Sequence, residues 1–195
     1  MKLRESVQIA GSVRSLTEGS HDALSETLRD FALLSSDKVQ WVLCGGLAVG
    51  FRARPRGTDD VDVLVQEEAD LSILVKVLDP KFKRTRLHAF THRTWGVEVE
   101  VLTPSFLKLD PQMVQLVLAD ALKEPFKGAL VPVASAASLI ALKLGRASHL
   151  DLGDVERIVE RNGPLDLSAY PLSDKQRQIY QEILNLPKAK KEDPI

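Results

Sequence analysis

Asp60 and Asp62 flank Val61 in the run Asp60-Val61-Asp62-Val63-Leu64-Val65. The β-branched composition reads as a strand, and side chains two apart on a strand point the same way. The two carboxylates therefore share one face and Val61 and Val63 the other. Like charges at that spacing repel unless a cation lies between them. An oxygen-preferring ion, Mg²⁺ or Mn²⁺, would relieve the repulsion. A water-facing strand shows the same alternation, so Asp-x-Asp alone decides little. A third acid is available from Thr94–Leu102, where Val97, Val99 and Val101 alternate with Glu98 and Glu100. That period of two predicts a strand over 94–102. Three carboxylates on adjacent strands can hold two metal ions, one lowering the pKa of an attacking hydroxyl and one neutralising a triphosphate and its leaving pyrophosphate. Whether Glu98 or Glu100 would be the third ligand stays open at this point.

These acids need elements to position them. Val39–Cys44 reads as a strand, and Gly45-Gly46 follows directly, with a helix expected over Leu47–Phe51. Such a strand–glycine–helix turn lets backbone N–H groups approach a phosphate at a helix start. A plain tight turn would also use glycine. Arg52, Arg54 and Arg56 form one basic loop; Lys81, Lys83, Arg84, Arg86 and Arg93 form a second basic stretch, without acids and interleaved with His88, Phe90, His92 and Trp95. Either suits the phosphates of an RNA or a solvated surface. His88 and His92 are four apart but lack an acid partner in sequence, which is weak for zinc. Lys143 sits among Leu139, Ile140, Leu142 and Leu144, so it either snorkels to solvent or faces a cleft. Asp151 and Asp154 fit a helix start, Asp151 as the better cap-region acid. Cys44 reads as a buried core residue.

The chain has 195 residues, 26 Lys+Arg against 27 Asp+Glu, 44% hydrophobic residues and one cysteine. This is the composition of a folded protein, without a disulfide framework and with too little net charge for whole-surface coating of nucleic acid. No stretch reads as a signal peptide or membrane span, so no membrane association and a cytoplasmic location are expected. Helices are expected from Asp22 (Leu24, Leu28, Phe31 and Leu34 inward), over Glu67–Leu78, in part of Ser105–Leu122, and over Ser135–Arg146, Asp151–Arg161 and Ser173–Leu186. Phe82–Phe90 is ambiguous, and Pro132 suggests that Leu130–Val133 is a short edge strand. The expected fold class is α/β (α+β), a small mixed sheet flanked by helices. The expected organisation is an N-terminal segment (1–21), an α/β core (22–134), a helical C-terminal part (135–187) and a tail (188–195).

Taken together, Cys44-Gly45-Gly46-Leu47-Ala48-Val49 and Arg54-Pro55-Arg56-Gly57-Thr58-Asp59-Asp60-Val61-Asp62 resemble the signature of the nucleotidyltransferase (polymerase-beta-like) superfamily. Within it they look like the branch containing abortive-infection AbiEii-type toxins. Glu100-Val101-Leu102-Thr103-Pro104, Leu139–Leu144 with Lys143, and Asp151-Leu152-Gly153-Asp154-Val155 fit the branch in order, and the likeness spans residues 39 to 162. It implies metal-dependent transfer of an NMP group from an NTP to an acceptor hydroxyl, with RNA or tRNA as acceptor and an antitoxin protein as partner. In that scheme Gly45 and Gly46 cradle phosphates, and Asp60, Asp62 and Glu100 bind Mg²⁺ (or Mn²⁺). Arg56 and Thr58 lie near the triphosphate or shape the loop, Lys143 neutralises phosphate, and Asp154 orients Lys143 or the acceptor. The chain departs from the pattern at Gly46, often Ser, at Glu100, more often Asp, and at His149-Leu150, often basic. Those departures suit an alternative, a catalytically inactive module that binds nucleotide, RNA or a partner protein. A Rossmann-type reading on Gly45, Gly46 and Gly50 lacks the full glycine fingerprint.

Overall fold

The computed structural model describes residues 18–35 and 37–186; the expected tail lies outside the described residues, as does nearly all of the expected N-terminal segment. The strands are β1 (Trp41–Cys44), β2 (Asp60–Val65), β3 (Phe82–Arg86), β4 (Ala89–His92), β5 (Glu98–Leu102), β6 (Leu122–Phe126) and β7 (Ala129–Val133). The helices are α1 (Glu18–Ser35), α2 (Gly45–Arg52), α3 (Ala69–Leu78), α4 (Pro104–Leu107), α5 (Pro111–Ala119), α6 (Ala136–Arg146), α7 (His149–Asn162) and α8 (Asp174–Leu184). One mixed, mostly antiparallel sheet runs in the order β3-β4-β5-β2-β1-β7-β6. Its parallel pairs are β2 with β5 and β1 with β7. The α/β class holds.

Alternation sorts the sheet into two faces. Val61, Val63, Val99 and Val101 are fully buried on one face, which α1 and α3 cover. There Phe31 of α1 meets Trp41 and Phe82 edge-on, at 5.0 and 6.2 Å, a favourable aromatic geometry. The opposite face carries Asp60 and Asp62. Over its β1–β2 half sits α2, packed in turn against α6 and α7, with α8 against α6 and α7. Serines cap three of these helices: Ser135, Ser148 and Ser173 each accept an N–H from three residues on, satisfying otherwise orphaned donors.

Two expectations are corrected and one ambiguous stretch is resolved. The strand predicted over 94–102 starts only at Glu98. Residues 93–97 turn instead, with Gly96 at φ +70° and its N–H donating to the His92 carbonyl (2.9 Å). The ambiguous stretch is the β3–β4 hairpin. β7 is not an edge strand; it lies between β1 and β6. Its pairing with β1 is one bridge long, Leu43 with Val133, and the Ala134 N–H donates to the Leu43 carbonyl (3.0 Å). The preceding N–H on that side would be that of Pro132, which has none. The edge is β6, which carries Pro125.

Candidate active site

Register places the acids. Asp60 lies opposite Glu98 and Asp62 opposite Glu100 across the β2–β5 pair. All four are half-buried on one face. Glu98 is engaged in an ion pair with Arg86, whereas Glu100 lies beside Asp62 without one. Thr58 donates its hydroxyl to Asp60 Oδ1 (2.8 Å), so Thr58 orients the first acid. Among the described residues, no hydrogen bond or ion pair engages the carboxylates of Asp62 or Glu100. Burial, then the charges of Asp60 and Glu100, push the Asp62 carboxyl up to about 6.

The diglycine is built around this carboxylate. Gly45 starts α2 at φ +64°, where a side chain is strained. A Cβ there would lie 1.7 Å from Asp62 Oδ2 and 2.6 Å from Asp62 Cβ. At Gly46 a Cβ would lie 2.8 Å from Arg56 Nη2 and 2.9 Å from Thr58 Oγ1. The two glycines therefore let an acid and a cation pack directly on the first turn of α2. Gly50, by contrast, has ordinary space beside Pro55. The helix begins at Gly45, two residues before the expected start.

Cations come from the loop after α2 and from α6. Arg56 donates to both oxygens of Asp154 (2.8 and 3.1 Å). Lys143 is buried rather than snorkelling, and its Nζ lies 2.7 Å from Asp154 and 3.3 Å from Asp151. Arg157 adds a further contact to Asp154 (3.2 Å). Burial alone would raise the fully buried Asp154 carboxyl, but hydrogen bonds from Arg56 and Lys143 hold it below the ordinary range. Asp154 thus fixes the heads of Arg56 and Lys143 together. Asp151 sits in the first turn of α7, accepts the Ser148 hydroxyl (2.6 Å) and pairs with Arg146.

These groups line a cavity of about 340 Å³. Gly45, Gly46, Arg56, Asp62, Lys143 and Arg146 form its polar end. Leu64, Leu102, Leu107, Leu109 and Met113 form a more apolar end further along β2 and β5, with Lys108 and Asp110 among them. The strands set this gradient, because Asp60, Asp62 and Leu64 follow one another on the same face, and so do Glu98, Glu100 and Leu102. The volume suits a small molecule with a charged head and an apolar or planar body. Asp60, Glu100 and Thr58 lie beside the cavity and not in its lining.

Arg146 is a site residue the motif reading missed. It falls three positions after Lys143 on one helix, the spacing that puts two side chains on the same face. The remaining candidates have other work. Arg52 donates to Ala134, Val133 and Glu124 and ties α2 to the β6–β7 hairpin. His92 accepts the Thr94 and Trp95 N–H groups on Nδ1 (3.2 Å each), so its Nε2 carries the proton given to Asp30 (3.1 Å). His88 stacks on Phe106 (4.7 Å). Cys44 is buried, and burial raises its thiol well above its usual range, unlike a nucleophilic thiolate.

Carboxylate oxygens are the right donors for Mg²⁺, and Asp62 and Glu100 lack any competing partner. Among the described residues, however, no group of three His, Cys, Asp or Glu is arranged to hold a metal ion as it stands. No described helix is long and apolar enough to cross a membrane.

No family model matches the chain, and no curated protein matches it significantly. Solved structures do match. An antigenic nucleotidyltransferase-like protein from Paracoccidioides brasiliensis superposes with a TM-score of 0.62 at 20% identity, over 85% of this chain and 88% of that one. The antibiotic-resistance factor ANT(2'')-Ia has a TM-score of 0.42 at 12% identity, over 80% of each chain. CdnC from Escherichia coli MS115-1, solved in a complex with HORMA-deltaN, has a TM-score of 0.34 at 16% identity, over 74% of this chain and 51% of that one. The likeness to the Paracoccidioides brasiliensis protein shows a nucleotidyltransferase-like fold.

Proposed function

We propose that the chain is a nucleotidyltransferase that moves an NMP group from an NTP to a hydroxyl of an RNA acceptor, tRNA included, and that it serves as the toxin of a toxin–antitoxin pair. One observation carries the transferase reading. Asp62 and Glu100 face each other across β2 and β5, beside a diglycine turn and the Arg56 and Lys143 cations held by Asp154. In the reaction the acceptor oxygen bonds to the α-phosphorus, the bond to the bridging oxygen breaks and pyrophosphate leaves. Such transfers depend on positioning and charge neutralisation more than on covalent chemistry by the protein. Arg56 and Lys143, with Arg146 at the rim, would draw the phosphates into the polar end of the cavity. The first N–H groups of α2 would meet them where no Cβ intervenes. The apolar end would take the base, and Asp62 and Glu100 offer oxygens for the hydroxyl proton. Asp60, Asp62 and Glu100 would hold Mg²⁺ (or Mn²⁺), which when bound supplies the charge that offsets polyphosphate and carboxylates together.

Purified protein with Mg²⁺, RNA and each labelled NTP in turn should transfer label to RNA, with Asp62→Asn and Lys143→Ala losing the transfer. Absence of label on RNA and protein alike, or equal labelling by Asp60→Ala, refutes the reading. The ungathered carboxylates favour one rival, a non-catalytic module on the same fold. Uptake of Mn²⁺ that disappears in Asp62→Asn separates the active site from that rival. Induced expression should arrest growth with the wild-type chain and not with Asp62→Asn if the toxin role holds.

A further inference from the structure

The acidic face does not end at β5. Side chains paired across a sheet share a face, so the registers can be followed outward from the acids. Asp62 leads to Glu100, then Ala89 on β4, then Arg86 on β3. Asp60 leads to Glu98, then Thr91, then Lys83. The helices of this face pack over β1 and β2, whereas Lys83, Thr85 and Arg86 on β3 are exposed. Half-buried Thr91 and buried Ala89 thus join the carboxylates to an exposed basic edge.

That edge holds usable positive charge. Residues 80–97 contain five Lys and Arg and no acid. Lys81 and Arg93 are committed to Asp30 and Asp79, and Arg86 is shared with Glu98. Arg84 pairs with Phe90 and so belongs to the opposite face, where it donates to the Leu87 carbonyl at the hairpin turn (2.6 Å) and meets no carboxylate. Among the described residues, no acid engages Lys83 either. The nearest acids on the same face are Glu98, Glu100 and Asp60, all on the far side of Thr91 and Ala89.

We propose that the acid-bearing face of β5, β4 and β3 docks the single-stranded end of a nucleic-acid acceptor, with its phosphates on Lys83 and Arg86 and its reactive hydroxyl at Asp62 and Glu100. This rests on the transferase reading for the hydroxyl but not for the docking. The occupant is a polyanion by charge complementarity. It is a strand rather than a duplex because one edge row of cations can follow one backbone. The acids repel phosphate, so most of the backbone keeps to the edge and only the last few nucleotides cross Thr91 and Ala89 to the centre. Three strand spacings of nearly 5 Å separate β2 from β3, roughly 14 Å. With a stacked rise of 3.4 Å per nucleotide, the edge meets phosphates about four nucleotides from the end. The nucleotide donor keeps the cavity, and the two substrates approach from different sides.

The test measures binding of a labelled single-stranded RNA of roughly a dozen nucleotides to the full chain by anisotropy, at about 50 to 200 mM salt and without NTP. Lys83→Ala/Arg86→Ala should weaken binding and flatten the slope of log affinity against log salt by about 1.4, since each single-strand phosphate deprived of its cation accounts for about 0.7. Nucleotide binding in the cavity and thermal stability should stay as in the wild type. An unchanged slope overturns the proposal. So does a poly-glutamate peptide that competes as tightly as RNA, since the edge would then serve an acidic protein. If the double variant loses RNA binding while no NTP labels any RNA, the docking surface stands and the transferase reading falls. Labelling of RNA by a chain whose binding ignores Lys83 and Arg86 gives the reverse.

Discussion

Three glycines on the eight-residue helix α2 should respond to alanine in three different ways, and the contrast tests the geometry of the site. At Gly45 two costs add. The backbone sits at φ +64°, where an L side chain costs about 1–2 kcal/mol. The new Cβ also falls 1.7 Å from Asp62 Oδ2, 2.5 Å from its Cγ and 2.6 Å from its Cβ. Rotation of Asp62 moves the first two atoms but not the third, which the backbone of β2 fixes. The strand and helix must separate, an overpacking cost of about 1–3 kcal/mol. The sum, about 2–5 kcal/mol, lowers the melting temperature of a chain this long by on the order of 10 °C. In an Asp62→Gly background the overpacking part vanishes and only the backbone part remains. A double-mutant cycle should therefore return a coupling of about 1–3 kcal/mol. Gly46→Ala meets only the ends of Arg56 and Thr58, so stability changes little while Arg56 is displaced and nucleotide affinity falls. Gly50→Ala meets Pro55 at 3.7 Å, an ordinary contact, and gains up to about 1 kcal/mol of helix propensity. Urea denaturation of the set decides. Equal losses at Gly45 and Gly50, or no coupling between Gly45 and Asp62, would refute the claim that the acid packs on the turn.

Asp62→Asn should stabilise the metal-free protein at neutral pH. The folded carboxyl titrates at about 6 against about 3.9 unfolded, so ionised Asp62 favours unfolding. The Asp62 contribution to wild-type stability is lost as pH rises from about 4 to 6 and is constant above. The Asn variant in EDTA should match the wild type near pH 4 and exceed it by about 2–3 kcal/mol at pH 8; a gap that widens toward acid contradicts the assignment. Asp154→Ala should cost about 3 kcal/mol in thermal unfolding, because it removes the nearer of the two carboxylates on buried Lys143 and the carboxylate that holds half-buried Arg56. The folded Asp154 carboxyl is depressed, so its contribution is present above the unfolded carboxylate range and disappears as pH falls through the folded value. An Asp154→Ala deficit that survives at strongly acid pH would show the loss to be packing. Finally, ATP should bind more tightly with Mg²⁺ than in EDTA, and Mg²⁺ more tightly with ATP by the same factor; equal affinities in calorimetry would contradict shared occupancy of the acidic face.

How far the sequence disclosed this arrangement depends on where each signal resides. β2 runs over Asp60–Val65 as alternation predicted, because a half-buried strand writes its two faces into its own residues. The valines of β5 did the same, although the turn before it was absorbed into the strand. β3 and β6 were invisible for the opposite reason. Edge strands bury little, so Lys83–Arg86 and Leu122–Phe126 show no alternation to read. Choosing Glu100 over Glu98 required Arg86, which reaches Glu98 only after β3, β4 and β5 have paired. Lys143 was ambiguous because its flanking leucines say only that its helix is buried. Its escape from snorkelling depends on Asp151 and Asp154, delivered by the next helix. The Asp30–His92 bond spans 62 residues, beyond any local pattern.

The site divides its charges unequally between its two supports, and the division explains why both are needed. The helical side is nearly self-sufficient: Arg56, Lys143, Arg146 and Arg157 share Asp151 and Asp154, and each carboxylate serves at least two cations. Each cation is held in place yet only partly neutralised, which leaves attraction for an added phosphate. The sheet side is left in debt, since Asp62 and Glu100 have no such partners. Lys143 and Arg146 pull the Asp62 carboxyl downward, but burial and the neighbouring acids outweigh them. Burial is the first reason the carboxyl is pushed up to about 6, and the charges of Asp60 and Glu100 add a negative potential where β2 meets the diglycine turn. Mobile positive charge would lower that potential, and a polyphosphate drawn to the helical side would find its way to the acids only in company with such charge.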